Sequence, residues 1–97
     1  MEKYKMTSQT ELRRIFNKVY NNQTNYMTPI ILKYYSSNGT NFICELSIGT
    51  DFKSNKIYGV TVLKYENFEW IKCDLSKMFN SKPDAENYCN KLTGRTD

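Results

Sequence analysis

Apolar residues recur along the chain with two different periods. Leu12, Ile15, Phe16, Val19 and Tyr20 follow the i, i+3, i+4, i+7, i+8 spacing that lines one side of an α-helix. Arg13, Arg14, Asn17 and Lys18 fall on the opposite side. Ser8 and Glu11 form an S-x-x-E capping box at the start, and the polar stretch from Asn21-Asn22 to Thr28 ends the helix. Pro29, with its fixed φ, then opens an extended segment. From Ile30 to Ile48 the pattern changes to that of a hairpin turning at Ser37-Asn38-Gly39. A three-residue loop with Gly39 left-handed would pair Tyr34 with Phe42, Leu32 with Cys44 and Ile30 with Leu46. That register gathers the apolar set on one face. The other face then carries Ile31, Lys33, Tyr35, Ile43 and Glu45, with Lys33 diagonal to Glu45.

A second hairpin is predicted in IYGVTVLKYENFEWIKC, residues 57–73. A two-residue turn at Glu66-Asn67 or Asn67-Phe68 puts Tyr58, Val60, Val62, Ile71 and Cys73 on one face. Ile57, Thr61, Leu63, Tyr65, Trp70 and Lys72 go to the other. The stretch 74–80 reads as a connector, with Leu75 and Phe79 tucked beneath it. A second helix follows from Ser81, with Pro83 in its first turn, Ala85, Tyr88, Cys89 and Leu92 as its apolar stripe, and Gly94 as its C-terminal cap. The residues from Arg95 to Asp97 form a short tail. The predicted order is α-β-β-β-β-α over a single domain, 1–97. Each helix has one apolar stripe and needs a sheet face, so the expected fold is α+β, a four-stranded antiparallel sheet with the helices packed on one side.

That arrangement leaves the other sheet face bare. Leu63, Tyr65 and Trp70 would then form an apolar patch, extended by Tyr35, Ile31 and Ile43 if the two hairpins are adjacent, with Phe68 in the turn as a further apolar anchor. Contiguous patches of this kind mark interaction sites, and Tyr and Trp dominate protein interfaces. With Lys33, Lys64 and Lys72 around them, these residues form the expected partner-binding surface, which could also serve a homodimer. If instead one helix covers each face, the same residues are core.

Composition narrows the chemistry. The chain has no histidine, which removes the commonest general base and a common zinc ligand. Its three cysteines, Cys44, Cys73 and Cys89, are widely spaced and fall on apolar stripes or strands, so they read as packed thiols. No carboxylate cluster and no glycine-rich phosphate loop is present, so no catalytic residue, metal site or cofactor is expected. The polar N-terminal stretch MEKYKMTSQTE has no signal-peptide pattern and no apolar run is long enough for a membrane span. Reduced thiols and a cytoplasmic location are therefore expected. The net charge of +4 leans toward anionic partners and argues against an acidic mimic of DNA. A nucleic-acid or nucleotide-binding reading stays open, with aromatics stacking bases, the sheet lysines meeting phosphates, and Arg13, Arg14 and Lys18 forming a separate basic helix face.

The stretch VTVLKYENFEWIKCDLSKMFNSKPDAENYCNKL, about a third of the chain, resembles a hairpin-plus-helix cassette of small uncharacterised proteins from phages and mobile elements of Gram-positive bacteria. The resemblance rests on Tyr65-Glu66-Asn67, Trp70, Leu75-Ser76, Phe79, Ser81 and Ala85. It departs at Phe68, where that pattern often has glycine. The resemblance implies a non-enzymatic accessory protein acting in the bacterial host cytoplasm. Such a protein would inhibit or modulate a host defence complex, protein or ribonucleoprotein, in the manner of anti-CRISPR proteins, or sequester a nucleotide signal.

Overall fold

The computed structural model describes residues 8–20 and 30–95. The helix-ending stretch from Asn21 to Thr28, the Pro29 start and the tail residues Thr96 and Asp97 lie outside these. Two helices and five strands follow in the order α1 (Gln9–Val19), β1 (Ile30–Tyr35), β2 (Phe42–Thr50), β3 (Lys56–Glu66), β4 (Glu69–Lys72), β5 (Lys77–Phe79) and α2 (Lys82–Thr93). Both helix starts follow from their caps. The Ser8 hydroxyl accepts from the Glu11 amide at 3.1 Å, and the Ser81 hydroxyl from the Asp84 amide at 3.4 Å. Gly94 closes α2 in the left-handed region. No helix among the described residues is long and apolar enough to cross a membrane.

The sheet is antiparallel, ordered β1-β2-β3-β4, with β5 pairing β3. β4 and β5 share the same edge of β3. β4 is the expected second strand of the hairpin, and β5 lies in the stretch 74–80 read from sequence as a connector. They are two halves of one interrupted strand. Where the ladder breaks, the Ser76 hydroxyl accepts from the Val62 amide at 3.0 Å and the Cys73 thiol donates to the Val62 carbonyl at 3.6 Å. Both backbone groups of Val62 that face this edge are thereby satisfied where neither β4 nor β5 pairs with it. Leu75 and Phe79 pack against the core, as their positions implied.

The helices lie on opposite faces of the sheet, which corrects the expected one-sided packing. Under α2, Ala85 and Cys89 cover Tyr35, Cys44, Leu46, Val60 and Val62. Under α1, Leu12 and Phe16 cover Tyr34, Ile43 and Leu63. The cause is alternation in the central strands. Successive residues Ile43-Cys44 and Val62-Leu63 point to opposite faces, and each face therefore carries apolar groups that need a cover.

The first hairpin also differs from the expected register. Tyr35 pairs with Cys44 and Tyr34 with Glu45, and a bulge falls between Ile31 and Lys33. Relative to the expected pairing the strands slip by three residues from Lys33 to Tyr35, which exchanges the faces there, and by two at Ile30 and Ile31 beyond the bulge, which does not. Lys33 therefore lies away from Glu45, with its ammonium 4.8 Å from the centroid of the Tyr35 ring. The reason is the use made of the loop. Residues 36–41 cap the C-terminus of α2 instead of closing a tight turn. The Asn38 amide donates to the Thr93 carbonyl at 2.8 Å, the Thr40 hydroxyl to Leu92 at 2.8 Å and the Asn38 side chain to Gly94 at 3.3 Å. These carbonyls have no partner within the helix. Gly39 is left-handed as expected, at φ +89°, but inside a longer loop.

Candidate functional site

The second hairpin turns at Asn67-Phe68, one of the two turns expected, and Tyr65 pairs with Trp70. Both turn residues have positive φ, +52° and +65°. That is the requirement of a type I′ turn, whose twist matches the flanking strands. Asparagine tolerates the conformation, whereas for a bulky residue it is an outlier. Phe68 is nevertheless there and 92% exposed.

The structure divides the expected site residues. Leu63 is fully buried beneath α1 and Tyr35 is 4% exposed beneath α2, so neither is a surface anchor. Both belong to the covered faces described above, so among the described residues neither lies on a bare sheet face. Lys64 points to the α2 side of the hairpin and pairs with Glu66 at 3.5 Å. Arg14 pairs with Glu11 at 3.2 Å on the exposed side of α1. Arg13 lies beside β1, apart from the hairpin.

Tyr65, Phe68, Trp70 and Lys72, however, come together with Lys18 in one groove of about 590 Å³ between α1 and the β3–β4 hairpin. The rings of Tyr65 and Trp70 are 4.8 Å apart and tilted by 56°, a favourable cross-strand aromatic pair. Trp70 is half-buried, its inner side against the α1 core cluster. Ile15 and Val19 form the helical wall. The Lys72 ammonium sits 4.6 Å from the centroid of the Tyr20 ring, which fixes its charge at one end. Glu69, next to the turn, is the acidic group at the other. The groove is thus an apolar aromatic trough lined also by Lys18, Lys72 and Glu69, with the exposed Phe68 among its lining residues.

Sequence reasoning missed Ile15 and Val19 as groove residues. A signal was present. The first helix carries five apolar residues in its stripe, and the structure needs only Leu12 and Phe16 for complete burial. Ile15, Val19 and Tyr20 are only partly buried against that cluster, and Ile15 and Val19 turn their remaining surface to the groove.

The titratable groups elsewhere are structural. Burial and the neighbouring Glu45 carboxylate push the Tyr34 phenol up to about 12. Burial raises the Glu45 carboxyl above the usual range, partly offset by the hydrogen bond it accepts from Tyr34. Cys44 is raised by its hydrogen bond with Cys89 and by burial, which keeps it a thiol near neutral pH. Among the described residues no group of three or more His, Cys, Asp or Glu side chains could hold a metal ion. Glu45 makes a pH prediction. Its folded pKa lies above its unfolded value, so the stability it contributes is complete below the ordinary carboxylate range. That contribution is lost as pH rises through the folded value. Glu45→Gln, which keeps an acceptor for Tyr34, should be more stable than the native chain at pH 7, with the difference closing in acid. Unfolding free energies measured against pH would contradict this if the two profiles ran parallel.

No family model matches the sequence, and comparison with curated proteins and with solved structures gives no match.

Proposed function

We propose that the chain is a non-enzymatic binding module that grips a protein partner with the α1–hairpin groove, using Phe68 and Trp70 as anchors and Tyr65 as the floor beside them. Lys18 and Lys72 set the charge the partner must match. The observation that carries this reading is Phe68, 92% exposed at φ +65°. A turn selected for folding alone would have glycine there. A phenylalanine in that conformation costs about 1–2 kcal/mol and makes no compensating burial within the chain. Its gain lies in contact with another molecule. The resemblance of the hairpin–helix stretch to phage and mobile-element proteins supports a more specific reading, in which the partner is a host defence complex that the protein inhibits.

The test is capture of host proteins by the native chain and by Phe68→Ala, with and without nuclease. A hot-spot aromatic contributes about 2 kcal/mol or more, so the variant should bind roughly 30-fold more weakly while folding normally. The complex should survive nuclease and change little between about 50 and 200 mM salt. Recovery of an oligonucleotide or nucleotide, with affinity falling steeply over the same salt range, would replace this reading with the nucleic-acid one.

A further inference from the structure

Among the described residues, β2 is the only strand partner of β1, so β1 presents a sheet edge. One point of that edge is already occupied by an amide. The Gln9 side chain donates to the Tyr34 carbonyl at 2.8 Å and accepts from the Tyr34 amide at 2.8 Å. This is the pair of bonds that a neighbouring strand residue would make, so the edge here is spaced and oriented for one. Beyond Tyr34 the edge continues through Leu32, Ile31 and Ile30, which are 41%, 40% and 69% exposed. Three consecutive exposed aliphatics on an edge strand are a template for strand addition that proteins normally guard against. A groove of about 420 Å³ runs alongside, between this edge and the Gln9–Arg13 end of α1. The charged residues lining it, Arg13 and Lys33, are both basic. They serve the two faces of the strand. Arg13 lies on the α1 side, close enough to Tyr34 for its charge to offset a small part of the rise in that phenol's pKa, and the Lys33 ammonium lies over Tyr35 on the α2 side.

We propose that the β1 edge is a second interaction surface, separate from the hairpin groove, and that it accepts an extended acidic segment of a partner protein as an added strand. Main-chain amides of the segment pair with β1 from Ile30 to Lys33. Because successive side chains of a strand alternate between faces, two adjacent carboxylates reach Arg13 on one side and Lys33 on the other. Aliphatic neighbours cover Ile31 and Leu32. A second copy of this chain fits less well, since an antiparallel β1–β1 pair would bring both sets of cations to the same seam.

The probe is the capped peptide acetyl-Thr-Val-Glu-Glu-Val-Thr-amide, titrated into the isotope-labelled full chain and followed by amide chemical shifts. Shifts should change at residues 30–34 and on the facing side of α1. The apparent affinity should fall about three- to tenfold in Arg13→Gln/Lys33→Gln, as expected for two exposed charge pairs. An N-methylated peptide, unable to pair its backbone, should produce no change at β1, and Phe68→Ala should bind the parent peptide normally. Equal binding of the lysine counterpart, or shift changes confined to the hairpin groove, would overturn the proposal. So would concentration-dependent changes at β1 without peptide, which would make the occupant a second copy.

Discussion

Leu63→Ala is expected to destabilise the protein by about 2–5 kcal/mol, the range for removing a fully enclosed aliphatic side chain. Leu63 has no exposed surface and packs in one cluster with Leu12 and Phe16 of α1 and with Tyr34 and Ile43 of the sheet. Truncation would remove its transfer free energy and leave a cavity, because helix and sheet backbones cannot close over it. A domain of this size has about 5–15 kcal/mol in total, so the loss should shift the urea midpoint by a large fraction. Trp70→Ala should fall between core and surface behaviour, since one side of the indole is in the same cluster. A Leu63→Ala change under about 0.5 kcal/mol, typical of surface sites, would mean that α1 does not close this face.

Gly94→Ala should cost about 2–4 kcal/mol, from two causes that add. The residue sits at φ +85°, which alanine adopts with strain. A Cβ there would also lie 2.3 Å from the Asn38 carbonyl oxygen. That oxygen is fixed backbone, in the loop whose Asn38 amide bonds Thr93 and whose Thr40 hydroxyl bonds Leu92. Moving it breaks the cap of α2, at about 1 kcal/mol per hydrogen bond. Gly39 provides the control. It has a similar φ of +89° and nothing within 4 Å of its would-be Cβ, so Gly39→Ala should show the conformational penalty alone. Equal losses in denaturant unfolding of the two variants would contradict the capping role of the loop.

The two substitutions touch the two places where the sequence was hardest to read. Helix limits were legible because capping is local. Ser8, Ser81 and Gly94 act within four residues of themselves. The second hairpin was legible because a two-residue turn leaves few registers. The first was not, since its loop bonds to α2, more than 50 residues away in sequence. No local pattern encodes that choice. The strand β5 was hidden for a similar reason, being three residues long and defined by its partner β3. At the site, the aromatic pair Tyr65–Trp70 and the exposed Phe68 could be read from the hairpin. Which face α1 would take could not. A stripe of apolar residues says that a helix needs a cover, not which side of a sheet supplies it. That one placement removed Leu63 from the surface and made the groove from what remained.

Phe68→Gly tests the central claim most directly, because folding and binding should respond in opposite directions. Glycine relieves the positive-φ strain at the turn, and the net gain is about 1 kcal/mol after its greater unfolded-state entropy. For a domain of this size that is a rise of roughly 4–8 °C in the unfolding midpoint. The account predicts a chain that melts higher and has lost most of its affinity for its partner. A variant that melts lower, or one that binds as the native chain does, would contradict it.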